Sequence, residues 1–404
     1  MVNLQTLLRD PTIMKSLQLI FQNKLYFSIA WVFACLNIVE GTWVLYIPYV
    51  KRHLSLDNGE VGVALFFIAL GTLTMIPLAT KITSVLGLGK TTFLSICFLS
   101  ITLLFPILSS SYVLLCITGY IMGLGIGITD IAMNALVSEV EKRDKVFFMS
   151  VSHGFFSLGG VISGGIGFLV FDYFDLPIYH IAIATTFILI TNFFLFKSYW
   201  KIQNSTVERE AVKLKWSIVR PLLILALLAF IIMGNEGAIA HWSKLFLQDI
   251  RNVMDDGLSS LGFILFSITM TIGRFFGDGL SEKYGSRKVV LYGSVISAIG
   301  YVCVLIPNFY LNVVGFGLAG LGFSVIIPEL FRAAGNVKNV SSVEGISIVS
   351  GSGFLAFLLG PAILGFLADT GTLIRSFSVL LASIILAIII VLFLIKNLMQ
   401  KSTD

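Results

Sequence analysis

The sequence predicts an all-α membrane protein with twelve transmembrane helices, arranged as two six-helix bundles related by a pseudo-two-fold axis. Three observations predict it. Hydrophobic residues make up 57% of the 404 residues and charged residues 12%, against roughly 25% charged in an average soluble domain. Long apolar stretches alternate with short polar clusters along the whole chain. Several sequence landmarks of the first half return in the second half at a nearly constant spacing.

The apolar stretches give the number of helices. A helix needs about 20 apolar residues to cross a hydrocarbon core about 30 Å thick. Cutting the chain at its polar clusters gives twelve stretches of about that length, numbered here as spans 1 to 12. They cover residues 25–47, 60–82, 90–108, 112–137, 146–171, 177–198, 219–243, 258–280, 287–306, 310–333, 342–367 and 373–396.

The polar segments between the spans set the domain boundaries. Residues 1–24 mix polar and apolar residues and lead directly into span 1, which favours a cytoplasmic amphipathic lead-in over a cleaved signal peptide. The longest charged interior stretch runs from Lys197 to Arg220 and divides the spans into two groups of six. We therefore expect an N-terminal bundle at 25–198, a cytoplasmic linker at 199–218, a C-terminal bundle at 219–396 and a cytoplasmic tail at 397–404.

The distribution of basic residues predicts the orientation. Lys and Arg concentrate on the cytoplasmic loops of membrane proteins. With both termini inside, only five of the 27 Lys and Arg residues fall outside, and the other 22 fall on the cytoplasmic side. The five are Lys51, Arg52, Lys244, Arg251 and Arg375. A miscounted span would invert part of this order, so the sequence predicts a multi-pass protein of the inner or plasma membrane with both ends cytoplasmic.

The repeated landmarks indicate an internal duplication. The dipeptide Glu40-Gly41 returns as Glu236-Gly237, 196 residues later. Three further glycine landmarks return after 200, 197 and 198 residues; they are Gly62 with Gly262, Gly123 with Gly320, and Gly167 with Gly365. Tandem copies with an even number of spans share the same orientation and are related by an axis along the membrane normal.

The loop after span 8 carries a dense pattern of glycine and charge, in the sequence RFFGDGLSEKYGSRK from Arg274 to Lys288. It resembles the Gly-rich acidic and basic loop signature of the major facilitator superfamily. The resemblance implies a gating or structural role on the cytoplasmic side for Arg274, Asp278, Glu282, Lys283 and Arg287. The corresponding first-half segment, residues 77–90, keeps glycines and bases but has no acidic residue. The spacing predicts ion pairs within a helix for two pairs, Arg274 with Asp278 and Glu329 with Arg332.

Three further segments narrow the resemblance. They are Asp130–Asn134 in span 4, Ser152–Gly160 in span 5 and Asn235–Ser243 in span 7. Together they are similar to the branch of the superfamily that contains the rhizopine-associated membrane protein and related bacterial permeases. The resemblance covers nearly the whole chain and implies a transporter, not an enzyme. It implies one central site between the two halves, exposed alternately to each side of the membrane.

Four titratable residues are candidates for proton coupling: Glu40, Asp130, Glu236 and His153. Carboxyl groups inside a transmembrane helix are costly and often mark ion or substrate pathways, and histidine titrates near neutral pH. In proton-coupled sugar permeases of the superfamily, acidic residues on spans 1 and 4 carry the coupling, and two of the four candidates match that placement. The structural alternative is a group that only links helices, and inherited symmetry leaves this open above all for Glu236.

The predicted substrate path is polar and aromatic. Glu40 shares a helical face with residues three positions to either side, Asn37 and Trp43. The remaining candidates lie on spans 4 and 7, where packing roles are the alternative. The full set predicted to bind substrate is Asn37, Glu40, Trp43, Asn134, Asn235, His241 and Trp242. His53 and His180 are expected in loops or at solvated helix ends.

The function expected from these residues is secondary active transport of a small polar solute such as a sugar or cyclitol, with proton coupling. The alternative is a proton-driven exporter of drugs or metabolites, and a non-transporting membrane sensor is a remote one. The four cysteines lie in apolar runs without paired spacing, so neither a disulfide framework nor a zinc site is predicted. No other metal site and no cofactor is predicted either. We expect a monomer whose partners are the solute, protons and the lipid bilayer, with no nucleic acid.

Overall fold

The computed structural model describes residues 11–56, 58–170, 177–204, 216–253, 256–369 and 372–393. These residues form helices and connecting turns, with no β-strand among them. The predicted tail at 397–404, residues 205–215 of the predicted linker and residues 1–10 of the predicted lead-in lie outside the described residues. A helix of the lead-in, Pro11–Gln22, precedes span 1.

Each predicted span forms one or two helices within its described residues; residue 171 of span 5 and residues 394–396 of span 12 lie outside them. In order, the helices run over Lys24–His53, Asn58–Leu86, Leu88–Thr102 with Leu104–Ile107, Tyr112–Asp144, Met149–Val170, Pro177–Leu195, Trp216–Arg251, Asp256–Tyr284, Ser286–Leu305, Phe309–Phe323 with Ile326–Gly335, Ser342–Asp369 and Leu373–Phe393. Within the described part of the chain, eleven helices are long and apolar enough to cross a membrane. The helix of span 5 completes the set of twelve, so the predicted fold class is confirmed.

The two halves repeat the same helix packing. Span 1 packs on span 5 as span 7 packs on span 11, and span 2 packs on span 4 as span 8 packs on span 10. Both span 2–4 and span 8–10 contacts depend on a glycine. A Cβ atom at Gly123 would lie 2.0 Å from the carbonyl oxygen of Ile68, and one at Gly320 would lie 2.2 Å from that of Phe266. The duplication predicted from sequence is thus present in the packing.

The ends of the bundle also repeat. We name the end where span 1 begins at Lys24 the basic end and the end where it finishes at His53 the far end. At the basic end, Gly87 and Gly285 connect spans 2 to 3 and 8 to 9 with φ angles of +85° and +84°, a conformation that favours glycine. At the far end, the side chains of Ser111 and Asn308 accept backbone N–H groups and cap spans 4 and 10.

The two halves meet mainly through spans 5 and 8 and through spans 2 and 11. The pseudo-two-fold axis maps spans 5 and 8 onto spans 11 and 2, so the two contacts are equivalent. The contacts lie toward the basic end: a Cβ atom at Gly335 would lie 2.0 Å from Ser138 Oγ, and one at Gly277 would lie 2.1 Å from Ser150 Oγ. Among the described residues, spans 1 and 7 share no extensive packing. The molecule is therefore closed at its basic end.

The N-terminal helix Pro11–Gln22 also crosses between the halves. It packs on span 1, to which Asn23 joins it, and more extensively on span 8 of the other half. Its side chains Ser16 and Ile20 are buried. The Phe21 ring lies 6.1 Å from the ring of Phe155 in span 5. The helix therefore covers the basic end where the halves meet.

Candidate functional site

Asp130, Asn134 and His153 form a hydrogen-bonded chain inside the N-terminal half. Asn134 follows Asp130 by one turn of span 4, and its amide nitrogen donates to the carbonyl oxygen (2.9 Å) and to Oδ1 (3.2 Å) of Asp130. The Asn134 amide oxygen lies 3.1 Å from Nε2 of His153 in span 5. Because that oxygen can only accept, Nε2 of His153 carries the hydrogen. His153 is thus in contact with the span 4 pair, at the level predicted for it.

Asp130 also bonds to the other half of the molecule. Its Oδ2 atom accepts a hydrogen bond from the hydroxyl group of Ser350 in span 11 at 2.6 Å. Glu40 of span 1 is half-buried, and its carboxyl group lies close enough to Asp130 for their charges to interact. Two carboxyl groups of one half therefore lie within electrostatic reach of each other, and one of them is bonded directly across the interface between the halves.

The neighbours of Glu40 on span 1 do not form a continuous polar wall. Asn37 donates from its amide nitrogen to the carbonyl oxygen of Phe156 in span 5 at 2.8 Å, so it links two helices of the same half. Trp43 is buried, and its indole N–H has no hydrogen-bond partner among the described residues. A buried donor without a partner is costly. The indole N–H of Trp43 is therefore available to donate a hydrogen bond.

Glu236 pairs with an arginine of span 8. Its Oε2 atom lies 3.8 Å from Nη2 of Arg274, and both side chains are largely buried. The Nη1 atom of the same arginine donates to Ser157 Oγ of span 5, in the other half, at 2.7 Å. Within the described part of the chain, Glu236 Oε1 and Arg274 Nε have no hydrogen-bond partner. The ion pair is therefore long and incompletely bonded.

Asn235, the neighbour of Glu236, is buried inside the C-terminal half. Its amide nitrogen donates to Ser383 Oγ of span 12 at 2.9 Å, and its amide oxygen accepts from the Tyr301 hydroxyl of span 9 at 2.7 Å. This side chain bridges three helices of one bundle. The structure therefore places Asn235 in helix packing, apart from the candidate site between the halves.

His241 and Trp242 line a small cleft between spans 7 and 11. The cleft is otherwise bounded by Phe357 and by small residues, namely Gly234, Gly237, Ala238, Ala356 and Gly360. Nδ1 of His241 lies 2.7 Å from the carbonyl oxygen of Gly237, so Nδ1 carries a hydrogen and a neutral ring offers Nε2 as an acceptor. The cleft therefore combines aromatic walls with one hydrogen-bond acceptor.

A second charged cluster closes the basic end. Arg332 of span 10 donates to Glu141 of span 4 through Nε (2.8 Å) and Nη2 (3.0 Å), and it also bonds to Asp278 of span 8 and Glu329 of its own helix. Its guanidinium group lies 4.7 Å from the centre of the Phe147 ring. One buried cation therefore joins three carboxylates from both halves.

The start of span 5 completes this cluster. The backbone N–H groups of Ser150 and Val151 donate to the carboxylate of Asp278 at 3.0 and 2.8 Å, and those of Phe148 and Met149 donate to Glu141 Oε1 at 2.7 and 2.8 Å. The first N–H groups of a helix have no partner within the helix, and its N-terminus carries a partial positive charge. Two carboxylates from different halves thus cap the same helix.

Of the two ion pairs predicted within helices, one is formed and the other is not. Glu329 and Arg332 are bonded as predicted. Arg274 is paired with Glu236 and Asp278 with Arg332, because each lies next to a partner on another helix. The prediction of an Arg274–Asp278 pair is therefore wrong.

The other residues of the loop signature act within the C-terminal half. Arg287 donates to the carbonyl oxygens of Val391 (3.3 Å) and Leu392 (2.7 Å) at the end of span 12. The Lys283 amine lies 5.4 Å from the centre of the Tyr284 ring, and Glu282 is half-buried beside it. These three residues lie at the basic end, and Arg287 fixes the packing of span 9 against span 12.

Sequence reasoning missed two residues and misplaced one. Glu141 stands in the charged run EVEKRD at the end of span 4, which reads as a solvated loop, yet it is buried. Ser350 had no distinguishing signal at all, because serine is common in membrane helices. His180, expected at a solvated end, is buried and bonded to the Tyr46 hydroxyl at 2.8 Å. Among the described residues no group of three or more His, Cys, Asp or Glu could hold a metal ion.

Comparisons with known proteins agree with this architecture. The sequence profile of the Major Facilitator Superfamily matches residues 26–278 and 254–402. The membrane protein MosC of Rhizobium meliloti is 30% identical over 365 residues, which cover 88% of this chain and 86% of that protein. An uncharacterised MFS-type transporter of Yersinia pestis is 29% identical over 342 residues, which cover 83% of this chain and 87% of the relative.

Solved structures agree at the level of the fold. The transporter FucP, crystallised in its outward conformation, superimposes with a TM-score of 0.71 at 15% sequence identity. The match covers 92% of this chain and 99% of that one. At this identity the likeness establishes the arrangement of helices.

Proposed function

The chain belongs to the Major Facilitator Superfamily, in the branch that its sequence resembled, and from this we propose that it carries a small polar solute across the membrane with protons. It is a multi-pass membrane transporter, not an enzyme. Alternating access moves the solute by rocking one six-helix bundle against the other around a central site. The solute class and the proton coupling are what we propose.

The observation that carries the proposal is the bonding of Asp130. This carboxyl group lies beside Glu40 in one half and accepts a hydrogen bond from Ser350 of the other half. Two neighbouring carboxyl groups repel each other when both are ionised, so we assign this pair as the place where a proton binds. Opening of the basic end separates Ser350 from Asp130. Proton binding at this pair and the movement of the halves are therefore coupled.

His153 and Asn134 extend this pair toward the basic end. The chain from Asp130 through Asn134 to the imidazole ring is continuous. The His153 ring also lies within electrostatic reach of Arg274 and Arg332. We assign Glu40 and Asp130 as the proton-binding groups and His153 as the group that links them to the charged cluster at the basic end.

The basic end is the cytoplasmic end in this proposal, since Lys and Arg concentrate there. The closed contacts at that end then correspond to a state open to the outside of the plasma membrane. Glu141, Asp278 and Arg332 form the cytoplasmic gate, which must come apart for release inside. The transporter acts as a monomer, because each chain holds both halves of the site.

The proposed solute is a small hydroxylated ring, such as a sugar or cyclitol. Trp43 and the cleft beside His241 and Trp242 provide hydrogen-bonding groups and aromatic surface, whereas the amide of Asn134 is fully bonded to Asp130 and His153. Aromatic side chains present an apolar face together with a polar atom, which suits a ring with hydroxyl groups around its edge.

The test is uptake into proteoliposomes from a panel of pentoses, hexoses and cyclitols, with and without an inward pH gradient. We expect one class of solute to accumulate only with the gradient. Glu40→Gln and Asp130→Asn keep the size of the side chain but remove the titrating group, and they should abolish accumulation while exchange of solute across the membrane persists. Accumulation that ignores the gradient and survives both changes would contradict proton coupling.

A proton-driven exporter of apolar compounds is the rival, and the mostly apolar walls of the span 7–11 cleft favour it. In that case deletion of the gene would sensitise cells to toxic compounds, and the panel of polar solutes would show no uptake. The same two carboxyl variants would then lose resistance.

A further inference from the structure

We propose that Arg274 exchanges its hydrogen-bond partner during the transport cycle, donating to Ser157 when the basic end is closed and tightening its present long contact with Glu236 into a hydrogen-bonded ion pair when that end is open. Glu236 is then a counter-ion that makes the open state accessible. This rests on the alternating access of the proposed function but on neither its solute nor its proton coupling. It gives Glu236 a role different from that of Glu40, its counterpart in the other half.

The Arg274 side chain contacts both halves of the molecule. Nη1 donates to Ser157 of the N-terminal half at 2.7 Å, while Nη2 lies 3.8 Å from Glu236 of its own half. Around it, the Ser150 hydroxyl of span 5 donates to the Arg274 carbonyl oxygen at 2.8 Å. Span 5 therefore holds both the side chain and the backbone of this residue.

The charges of Arg274 and Glu236 are both largely buried. The Arg274 side chain is 9% exposed and that of Glu236 is 13% exposed. A buried charge that loses its partner is strongly unfavourable, and within a membrane helix the cost is larger still. When spans 5 and 8 separate at the basic end, Ser157 leaves with the N-terminal half, so Arg274 needs a replacement partner within its own half.

Glu236 is positioned to become that partner, and it has an acceptor atom for it. It belongs to span 7 and moves with span 8, and among the described residues its Oε1 atom has no hydrogen-bond partner. Arg274 Nε is likewise without one. The present 3.8 Å separation is long for a charge-assisted hydrogen bond, which is ordinarily about 2.7–2.9 Å. Glu236 Oε1 and Arg274 Nε can therefore form a second hydrogen bond that is absent from the closed state.

The two partners predict shifts of opposite sign. Ser157→Ala removes the contact made in the closed state and should raise the population open at the basic end. Glu236→Gln removes the counter-ion of the open state and should lower that population. A hydrogen bond to a charged group changes an equilibrium by at least about fivefold, so each ratio of open to closed should move at least about fivefold from the parent. Glu236→Asp, which retains the charge, should lie between Glu236→Gln and the parent.

The populations are measured by distances between spin labels in the full chain, reconstituted in nanodiscs, with the four native cysteines replaced by alanine. Labels at Lys145 and Lys338, which are exposed on opposite halves at the basic end, report its opening. Labels at His53 and Asp249 report the far end. Opposite shifts at the basic end, mirrored at the far end, support the exchange of partners. Shifts of the same sign, or none, in the two variants overturn it.

This measurement needs neither solute nor pH gradient, so its outcome is separate from that of the uptake experiment. If uptake fails but the opposite shifts appear, the exchange of partners stands and the solute or the coupling is wrong. If uptake behaves as proposed but the shifts are absent, Glu236 is a fixed structural partner of Arg274.

Discussion

Glu40 and Glu236 occupy equivalent positions in the two halves, yet their surroundings differ. Glu40 lies beside a second carboxyl group, Asp130, whereas Glu236 lies beside the cation of Arg274. Neither neighbour is duplicated: the position 197 residues after Asp130 is Ile327, and residues 74–76, which correspond to Arg274, carry no charge. The same glutamate thus has a carboxyl group within electrostatic reach in one half and an arginine in the other.

Gly360 tests whether the cleft between spans 7 and 11 takes up the solute. It lines the cleft, and a Cβ atom there would meet nothing within 4 Å. Gly360→Val should therefore fill the cleft without a clash against a neighbouring helix. We expect kcat/KM for uptake to fall at least about tenfold, since extra methyl groups in a binding pocket cost that much. The thermal midpoint of unfolding should change little.

Gly62→Val is the matched control for the cleft. Gly62 also has open space at its Cβ position and is exposed on span 2, away from the cleft. This variant adds the same side chain to a helix and should leave uptake intact. Equal loss of uptake in both variants would show that the added valine acts through the helix and not through the cleft.

Single residues are the scale at which the sequence was least informative. Asn235 and Glu236 are adjacent and equally polar, but one packs inside a bundle and the other faces span 8. Consecutive residues of a helix point in directions about 100° apart. The partners of Asn235 and Glu236 therefore depend on which helices lie on each side of span 7. Glu141 looked like part of a loop because its run of charges is solvated in most proteins. Here an arginine 191 residues away binds it.

At the scale of helices, the spans were predicted well and their ends poorly. Span 1 was predicted at residues 25–47, but its helix runs on to His53. Hydropathy reports the length that contacts the hydrocarbon core, whereas helical hydrogen bonds continue into the interfacial region. The amphipathic lead-in was predicted, but its packing against span 8 was not. Amphipathicity predicts that one face of a helix is buried, but it does not identify the helix that packs on that face.

The packing against span 8 makes the N-terminal helix a strap over the basic end. Because Asn23 joins it directly to span 1, the helix must leave span 8 when the halves separate there. Deletion of residues 1–22 should therefore raise the population open at the basic end. Ile20→Ser should have a smaller effect in the same direction, since burying an Ile side chain is worth about 1.5–3 kcal/mol. Ile20 is completely buried in the closed state.

The Lys145–Lys338 spin-label distance measures this effect. Gln22→Ala is the control, because Gln22 is exposed on the same helix. Its distance distribution should match that of the parent. A deletion variant that folds and keeps the parent distribution would mean that the helix follows span 8 through the cycle and restrains nothing.

At the scale of the whole molecule, the sequence was most informative. The duplication, the count of spans and the division into halves follow from hydropathy and repeated landmarks, which many residues determine together. The state of the molecule does not follow from them, because both states keep the same helices and the same packing within each half. What differs is the contact between the halves, and this depends on side chains that meet only in one state.

Gly335 provides a probe of that difference. A Cβ atom at Gly335 would lie 2.0 Å from Oγ and 2.8 Å from Cβ of Ser138, which belongs to the other half. Overpacking of this kind costs about 1–3 kcal/mol, and separation of the halves at the basic end removes it. Gly335→Ala should therefore favour the state open at that end, by about 5- to 150-fold in the population ratio. The spin-label distances at both ends measure it.

Gly320→Ala is the control that separates a change of state from a loss of stability. Its Cβ atom would lie 2.2 Å from the carbonyl oxygen of Phe266 in the same half, so the clash persists in every state of the cycle. We expect a lower thermal midpoint of unfolding and an unchanged ratio of states. In the Gly335→Ala chain, Ser138→Gly should restore the parent distances because it removes the group that Cβ meets. If Gly335→Ala instead lowers stability and leaves the distances unchanged, the contact between spans 4 and 10 does not open during transport, and the halves separate elsewhere.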